Sequence, residues 1–469
     1  MIFGVPPLKQ LVWFRSDLRV EDNPALVAAC GGGSVEACFF AADAQWAAHH
    51  EGPRKTAFVR RTVKALAHEL AALGIKLHVL QVPRFSDAPA AMVKLLQETG
   101  AVQLHFNAEY PLDEVKRDRA VWRAVKAIGR GCVRHEGSVI LPPGRVLTAA
   151  AKPFTVFTPF RRKWFGVVTD TDLQTLDKPK PVAAPLDPAL MCWDESAERE
   201  GAAAWPAGER VAYQQLRNFA AGRLAGYAGN RDFPAIEGTS RLSPYLAIGA
   251  ISPRRCLDAA KALAPEASEA WVNEILWREF YRHVIALHPH VSKGESFHQH
   301  YDRLQWETNP AALDAWKSGL TGYPLVDAAM RQLTSTGWMH NRLRMVAAMF
   351  LTKHLLIHWR EGERFFMEQL VDADFASNNG GWQWSASTGT DAVPYFRIFN
   401  PTTQGQRFDP KGVFTRLHVP ELASVLDRFL FEPWKTGLTL NYPPPIVDHV
   451  FARQRAIQRF RGFNPDRPD

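Results

Sequence analysis

Over the first 130 residues, short apolar runs alternate with amphipathic segments, and this alternation restricts what the chain can fold into more than any other feature. Leu11–Phe14, Val35–Phe40, Lys76–Val82 and Val102–Phe106 read as strands. Between them, Arg54–Leu73 sets Phe58, Val59, Val63, Leu66, Leu70 and Leu73 at helical spacing, and Asp87–Glu98 and Asp113–Ile128 are helix-like. Asn23-Pro24 suits a helix start. Strand and helix in alternation mean a parallel sheet covered on both faces, so residues 1–130 are expected to form a doubly wound α/β domain. No Gly-x-Gly-x-x-Gly follows the first strand, which leaves a conventional dinucleotide site without support.

From 131 to 207 the pattern loosens into a Pro-rich connector with Pro179, Pro181, Pro185, Pro188 and Pro206. Beyond it helical spacing dominates, in Trp271–His288, Pro324–Leu333, Met339–His358 and Glu363–Leu370, so 208–469 reads as an all-α domain. Pro324 suits a first helical turn and Gly337 a stop. No apolar run reaches membrane-spanning length, and the N-terminal seven residues lack the pattern of a signal peptide, so a cytoplasmic protein is expected. The five cysteines contain no Cys-x-x-Cys pair, and the His288/His290 and His298/His300 pairs lack accompanying ligands, which argues against a disulfide framework and a metal site. The net charge of +8 is compatible with a polyanionic partner. It does not locate a binding face.

The densest concentration of unusual residues is Asp372-Ala-Asp-Phe-Ala-Ser-Asn-Asn-Gly-Gly-Trp-Gln-Trp384. Two acids, an Asn pair, a Gly pair and two Trp read either as a ligand-lining loop or as an unusual structural turn. In Gly238–Pro244, hydroxyls, one Arg and a helix start make either an anion site or an ordinary cap with Ser243 before Pro244. Glu274, Trp277 or Arg278, and Tyr281 fall on one helical face, as do Asn341, Arg344 and Met345 on a later helix. Mixed polar and aromatic faces on two helices suggest a lined cavity.

Together with Trp338-Met-His-Asn-Arg-Leu-Arg-Met345 and Thr388-Gly-Thr-Asp391 through Asn400-Pro-Thr-Thr-Gln-Gly405, that run resembles the photolyase/cryptochrome family, nearest to bacterial class I photolyases acting on cyclobutane pyrimidine dimers. The resemblance implies an FAD-binding C-terminal domain and light-driven repair of UV-damaged DNA by a monomer needing no protein partner. The absence of a long tail beyond Asp469 is expected to favour repair over signalling.

By the same resemblance, Tyr227 and Thr239, Ser240, Arg241, Leu242 and Ser243 hold the FAD phosphates and nearby atoms, with Trp271 and Arg278 in the same pocket. Arg344 and Asp372 flank the isoalloxazine, Asp374 helps to bind it, and Asn378 faces the flavin nitrogen that gains and loses a proton. Glu274, Trp277, Asn341, Met345 and Trp384 face the lesion, and Tyr281, Arg231, Arg342, Arg397 and Gln404 lie near DNA. His340, beside Asn341, is expected to point about 100° away on a regular helix. Trp306, Trp359 and Trp382 match an electron relay. His49, Asp113, Glu114, Ser292 and Lys293 match an antenna site for methenyltetrahydrofolate, with deazaflavin and FMN as alternatives. Asp113 stands where relatives carry Asn and Ser292 where they carry Cys. One of the two adjacent acids is therefore expected to keep its proton or the folate to be loosely held.

Overall fold

The computed structural model describes residues 8–188, 205–261 and 263–463; the N-terminal seven residues and Cys192 lie outside them. The chain divides into two compact units, the first built from Met1–Phe154, Thr158–Ala225 and Ser240–Pro289, the second from Thr155–Phe157, Gly226–Thr239 and His290–Asp469.

In the first unit, β1 (Gln10–Phe14), β2 (Val35–Ala41), β3 (Lys76–Gln81), β4 (Gln103–Asn107) and β5 (Gly131–His135) form one parallel sheet in the order β3-β2-β1-β4-β5. The crossovers include α1 (Pro24–Gly32), α2 (Pro53–Ala72), α3 (Ala88–Thr99) and α4 (Leu112–Ala127). Asn23 starts α1 by accepting the Leu26 N–H at 3.2 Å. Trp13, Phe40, Phe106, Leu95 and Val121 pack one side of the sheet, which fixes its register because a one-residue slip would turn this set outward. The strand β5 falls inside the segment that reads as connector. Only Cys132 and Val133 are apolar in it, and as an edge strand it needs little more. A long helix, α5 (Pro265–Leu287), begins two turns earlier than its apolar spacing suggests, at Pro265 in the first turn.

The second unit is helical. Its core gathers Trp316, Leu333, Phe350, Trp359, Phe366 and Trp382 among many aliphatic side chains. Helix α6 (Pro324–Thr336) ends at Gly337 with φ 72°, as its sequence anticipates. Met339–His358 is not one helix. It is α7 (Asn341–Met349), then a π turn over Phe350–His354, then Leu356 at φ 54°. The next helix, α8 (Trp359–Gln369), is capped by His358. The Asp372–Trp384 run is a helix for most of its length, α9 (Phe375–Ala386), rather than a loop or turn. Asp374 makes this possible by accepting the Ser377 N–H at 2.9 Å. A last helix, α10 (His449–Arg461), follows. Among the described residues no helix is long and apolar enough to cross a membrane.

Candidate functional site

Helix α9 carries the Asn and Gly pairs because its neighbours hold the amides. Asn378 donates from Nδ2 to the Glu363 carbonyl at 3.0 Å, and Asn379 donates to Glu363 Oε1 at 2.8 Å. Gln383 donates to Asn379 Oδ1 at 2.9 Å and accepts the Phe297 N–H at 2.7 Å. With its Nδ2 anchored, Asn378 is left with Oδ1 to accept a proton donor. Glu363, within a segment that reads only as an amphipathic helix, is the hub that the sequence did not disclose. Burial raises its pKa to about 7, against the opposing Asn379 hydrogen bond and Arg360 charge.

On α7, Arg344 donates from Nε to the Met339 carbonyl at 2.8 Å and from Nη2 to Asp372 Oδ2 at 2.7 Å. The other carboxylate oxygen, Asp372 Oδ1, is buried with no donor. An unmet buried carboxylate oxygen calls for an N–H or O–H from a bound group. The polar ring edge of a flavin carries such a group, so this pair fits FAD. Met345 and Arg344 are half-buried and Asn341 is exposed on α7. His340 is not on the helix at all: it is the cap, its Nδ1 accepting the Arg342 N–H at 3.2 Å, and burial lowers its pKa to about 4. Its expected 100° rotation on a regular helix is thus replaced by a buried, neutral cap.

Trp382 is buried, its ring 4.9 Å from Phe366 and 6.0 Å from Trp316. Gly362 lies beneath it, and a side chain there would collide with the indole. Trp359 is fully buried and Trp306 only partly. Both touch His358, at ring separations of 5.8 and 5.2 Å respectively. Trp384 is half-buried on α9.

In the first unit, Glu274, Trp277, Arg278 and Tyr281 share one half-buried face of α5, opposite buried Ile275, Leu276 and Phe280. Trp277 and Tyr281 lie 5.6 Å apart. Arg278 donates to the carbonyls of Ser138 at 2.6 Å and Leu246 at 3.2 Å, and so braces the fold. Glu279 fixes the buried side of α5 by accepting the Ile140 and Leu141 N–H groups at 2.7 and 3.0 Å. Trp271 is buried against Phe219 at 5.1 Å. In the hydroxyl-rich stretch, Leu242 rather than Ser243 precedes the short helix Ser243–Ala247, and the Leu242 side chain makes no cap; Arg241 has φ 52°. Ser243 thus opens the helix itself rather than standing before it. The Ser240 carbonyl accepts from Gln215 at 2.8 Å, and Ser240 Oγ accepts the Leu242 N–H at 3.4 Å. In the second unit, Thr239 is half-buried and Tyr227 is buried beneath the Arg231 guanidinium, 5.4 Å from the ring. Also there, Arg342 pairs with Asp232 at 2.8 Å over the Phe408 ring, Arg397 is exposed, and Gln404 Oε1 is buried without a partner.

Of the residues matched to an antenna, His49 approaches Asp113 at 3.4 Å and Glu114 at 3.7 Å. Burial, then the charge of Glu109, raises the Glu114 pKa to about 8. Burial works against Asp113 too, but hydrogen bonds and charge from Lys116 and His49 win and hold it below the usual range. Glu114 is thus the acid that keeps its proton, chiefly through desolvation and Glu109 rather than through Asp113. It lines a cavity of about 70 Å³ beside Arg15, Trp46, His49 and Arg117. Ser292 and Lys293 sit on the turn Val291–Lys293 of the second unit.

Residues 10–183 match the family model described as DNA photolyase, and 271–462 the one described as FAD binding domain of DNA photolyase. The chain is 46% identical to a deoxyribodipyrimidine photo-lyase of Escherichia coli, across 96% of this chain and 98% of that one. Among solved structures it resembles a class III photolyase of Agrobacterium tumefaciens with a TM-score of 0.87 and 34% identity, covering 99% of both chains. A Synechocystis cryptochrome matches with a TM-score of 0.87 and 26% identity, over 97% of this chain and 100% of that one.

Proposed function

The chain belongs to the DNA photolyase family, and from that premise we propose that it repairs cyclobutane pyrimidine dimers in DNA under light, with reduced FAD as its cofactor. The observations that carry the reading are the Arg344–Asp372 pair with its unmet buried oxygen and Asn378 held on Glu363. When bound, FAD supplies light-driven donation of one electron to the dimer and recovery of that electron after the cyclobutane ring opens. The protein's own residues do the rest. Arg344 and Asp372 orient the ring system, and Asn378 presents a neutral acceptor that suits a protonated flavin nitrogen without opposing an anionic one. Asp374 acts indirectly, by starting the helix that carries Asn378.

A dimer inside a duplex cannot reach a buried cofactor, so the lesion must leave the stack, as enzymes of this family require. In the second unit, Trp384 supplies a flat apolar wall and Asn341 supplies hydrogen bonds to the pyrimidine edges. Arg231, Arg342 and Arg397, with Gln404, engage the strand around it, giving affinity that falls with salt. Asn341 and Met345 cannot deliver a proton at neutral pH, and His340 is a neutral cap, which favours cyclobutane dimers over (6-4) products. Trp306, Trp359 and Trp382 form the route by which oxidised FAD is re-reduced. We assign FAD and DNA binding to residues within 208–469 and antenna binding to the α/β part. The protonated Glu114 carboxyl both donates and accepts, which suits the edge of a pterin. The chain works as a monomer on UV-damaged DNA in the cytoplasm, without an obligate partner.

The test uses two oligonucleotides, one with a single cyclobutane dimer and one with a single (6-4) product, illuminated with the reduced protein. Restored pyrimidines from the first alone support the assignment. Repair of the (6-4) product alone overturns it.

A further inference from the structure

The contacts around His358 exceed what its capping role needs. Its Nδ1 accepts the Arg360 N–H at 3.1 Å, which pins the ring and leaves the proton on Nε2. Pinned there, the imidazole lies 5.2 Å from the Trp306 ring and 5.8 Å from the Trp359 ring, inclined to them by 47° and 35°. Burial, with some help from Arg360 and against Asp302, keeps it neutral, and Arg360 is itself paired with Asp302 at 3.6 Å. Trp359 is fully buried and its Nε1 has no acceptor, whereas Trp306 reaches the surface.

We propose that His358 is the bridge of the tryptophan relay, its imidazole carrying the electronic contact between Trp306 and Trp359; this rests on the relay reading given above. An oxidised Trp359 has no neighbour to take its indole proton, so it stays a radical cation and remains a strong oxidant. One electron then leaves Trp306 for Trp359. Trp359 is restored, and Trp306 becomes the radical cation, loses its N–H proton to solvent, and recovers one electron and one proton from an external thiol. The imidazole is harder to oxidise than indole, so it is never itself oxidised and acts only by setting a closed-shell π system against both rings. A neutral ring suits this place, because a cation there would oppose positive charge on either indole. His358 is accordingly a positioning residue.

The experiment follows radical formation by flash absorption in the holoprotein with oxidised FAD. His358→Asn keeps a side-chain cap and removes the ring, while His358→Phe keeps a ring and removes the cap. The Asn variant should fold, form the first tryptophan radical at the wild-type rate, and slow the transfer from Trp306 to Trp359 by an order of magnitude. The Phe variant should restore most of that rate. Wild-type transfer in the Asn variant would overturn the bridge, and so would a Phe variant as slow as the Asn variant, since the cap would then be what matters. Trp306→Phe separates the two readings. If it abolishes the late radical while His358→Asn does nothing, the bridge alone fails; if it leaves the late radical intact, the relay fails and the bridge with it.

Discussion

Glu363 gives the site a pH signature that can be measured on the folded protein. Burial raises its pKa from 4.5 to about 7, and neither the Asn379 hydrogen bond nor the Arg360 charge reverses this. Below pH 4.5 the carboxyl is neutral in both the folded and unfolded chain, and its contribution to stability is complete. As pH rises past 4.5 the unfolded chain releases the proton while the folded one keeps it, so stability falls by up to about 1.4 kcal/mol per pH unit until the folded group also ionises near 7. The full loss would be about 3 kcal/mol. Part of the residue still reaches solvent, which screens the charge, and about 2 kcal/mol is the working figure. Glu363→Gln retains an acceptor for Asn379 and removes the titration. Urea unfolding of FAD-saturated protein and variant at pH 5 and pH 8 isolates the effect, because other groups cancel in the difference. The variant should gain about 2 kcal/mol relative to the parent between the two pH values, at unchanged m-value. A difference independent of pH would refute the picture of a proton held on Glu363.

Trp382→Phe should impair photoreduction of oxidised FAD and largely spare repair by chemically reduced enzyme; equal loss of both in paired assays would count against the relay. Asp372→Asn removes the carboxylate facing Arg344 and should weaken FAD retention about tenfold or more, a loss of about 1.4 kcal/mol or more measured by flavin release on gel filtration. Gly362→Ala would force the Trp382 ring out of its seat and should cost about 1–3 kcal/mol in thermal unfolding, with a changed Trp382 transient signal. Glu114→Ala should abolish energy transfer from added methenyltetrahydrofolate to FAD while Glu114→Gln retains part of it, and tight binding of FMN or deazaflavin in place of folate would displace that antenna assignment.

Much of the fold was legible because burial writes itself into composition. Strands β1 and β2 are almost wholly apolar, since helices cover both faces of a parallel sheet. The edge strand β5 needs only two apolar residues, and its sequence, Gly-Cys-Val-Arg-His, looks like the connector around it. The break between α7 and α8 escaped notice because no Gly or Pro marks it; the chain turns through a π turn and Leu356 in the left-handed region. The Asp372–Trp384 run misled in the opposite sense. Its Asn and Gly residues do favour irregular backbone, but Asp374 caps a helix and Glu363, contributed by α8, ties down both Asn378 and Asn379. Partners supplied from another helix leave no trace in local spacing. For the same reason Glu363 and His358, which organise the site, were invisible until the helices were placed.

The central claim is tested most directly by single-turnover repair of a dimer-containing oligonucleotide by the protein with its FAD fully reduced, in parallel light and dark samples. The account predicts restored pyrimidines in the light alone, with the flavin still reduced afterwards. An intact dimer after illumination, with FAD bound and reduced and the oligonucleotide bound, would contradict it.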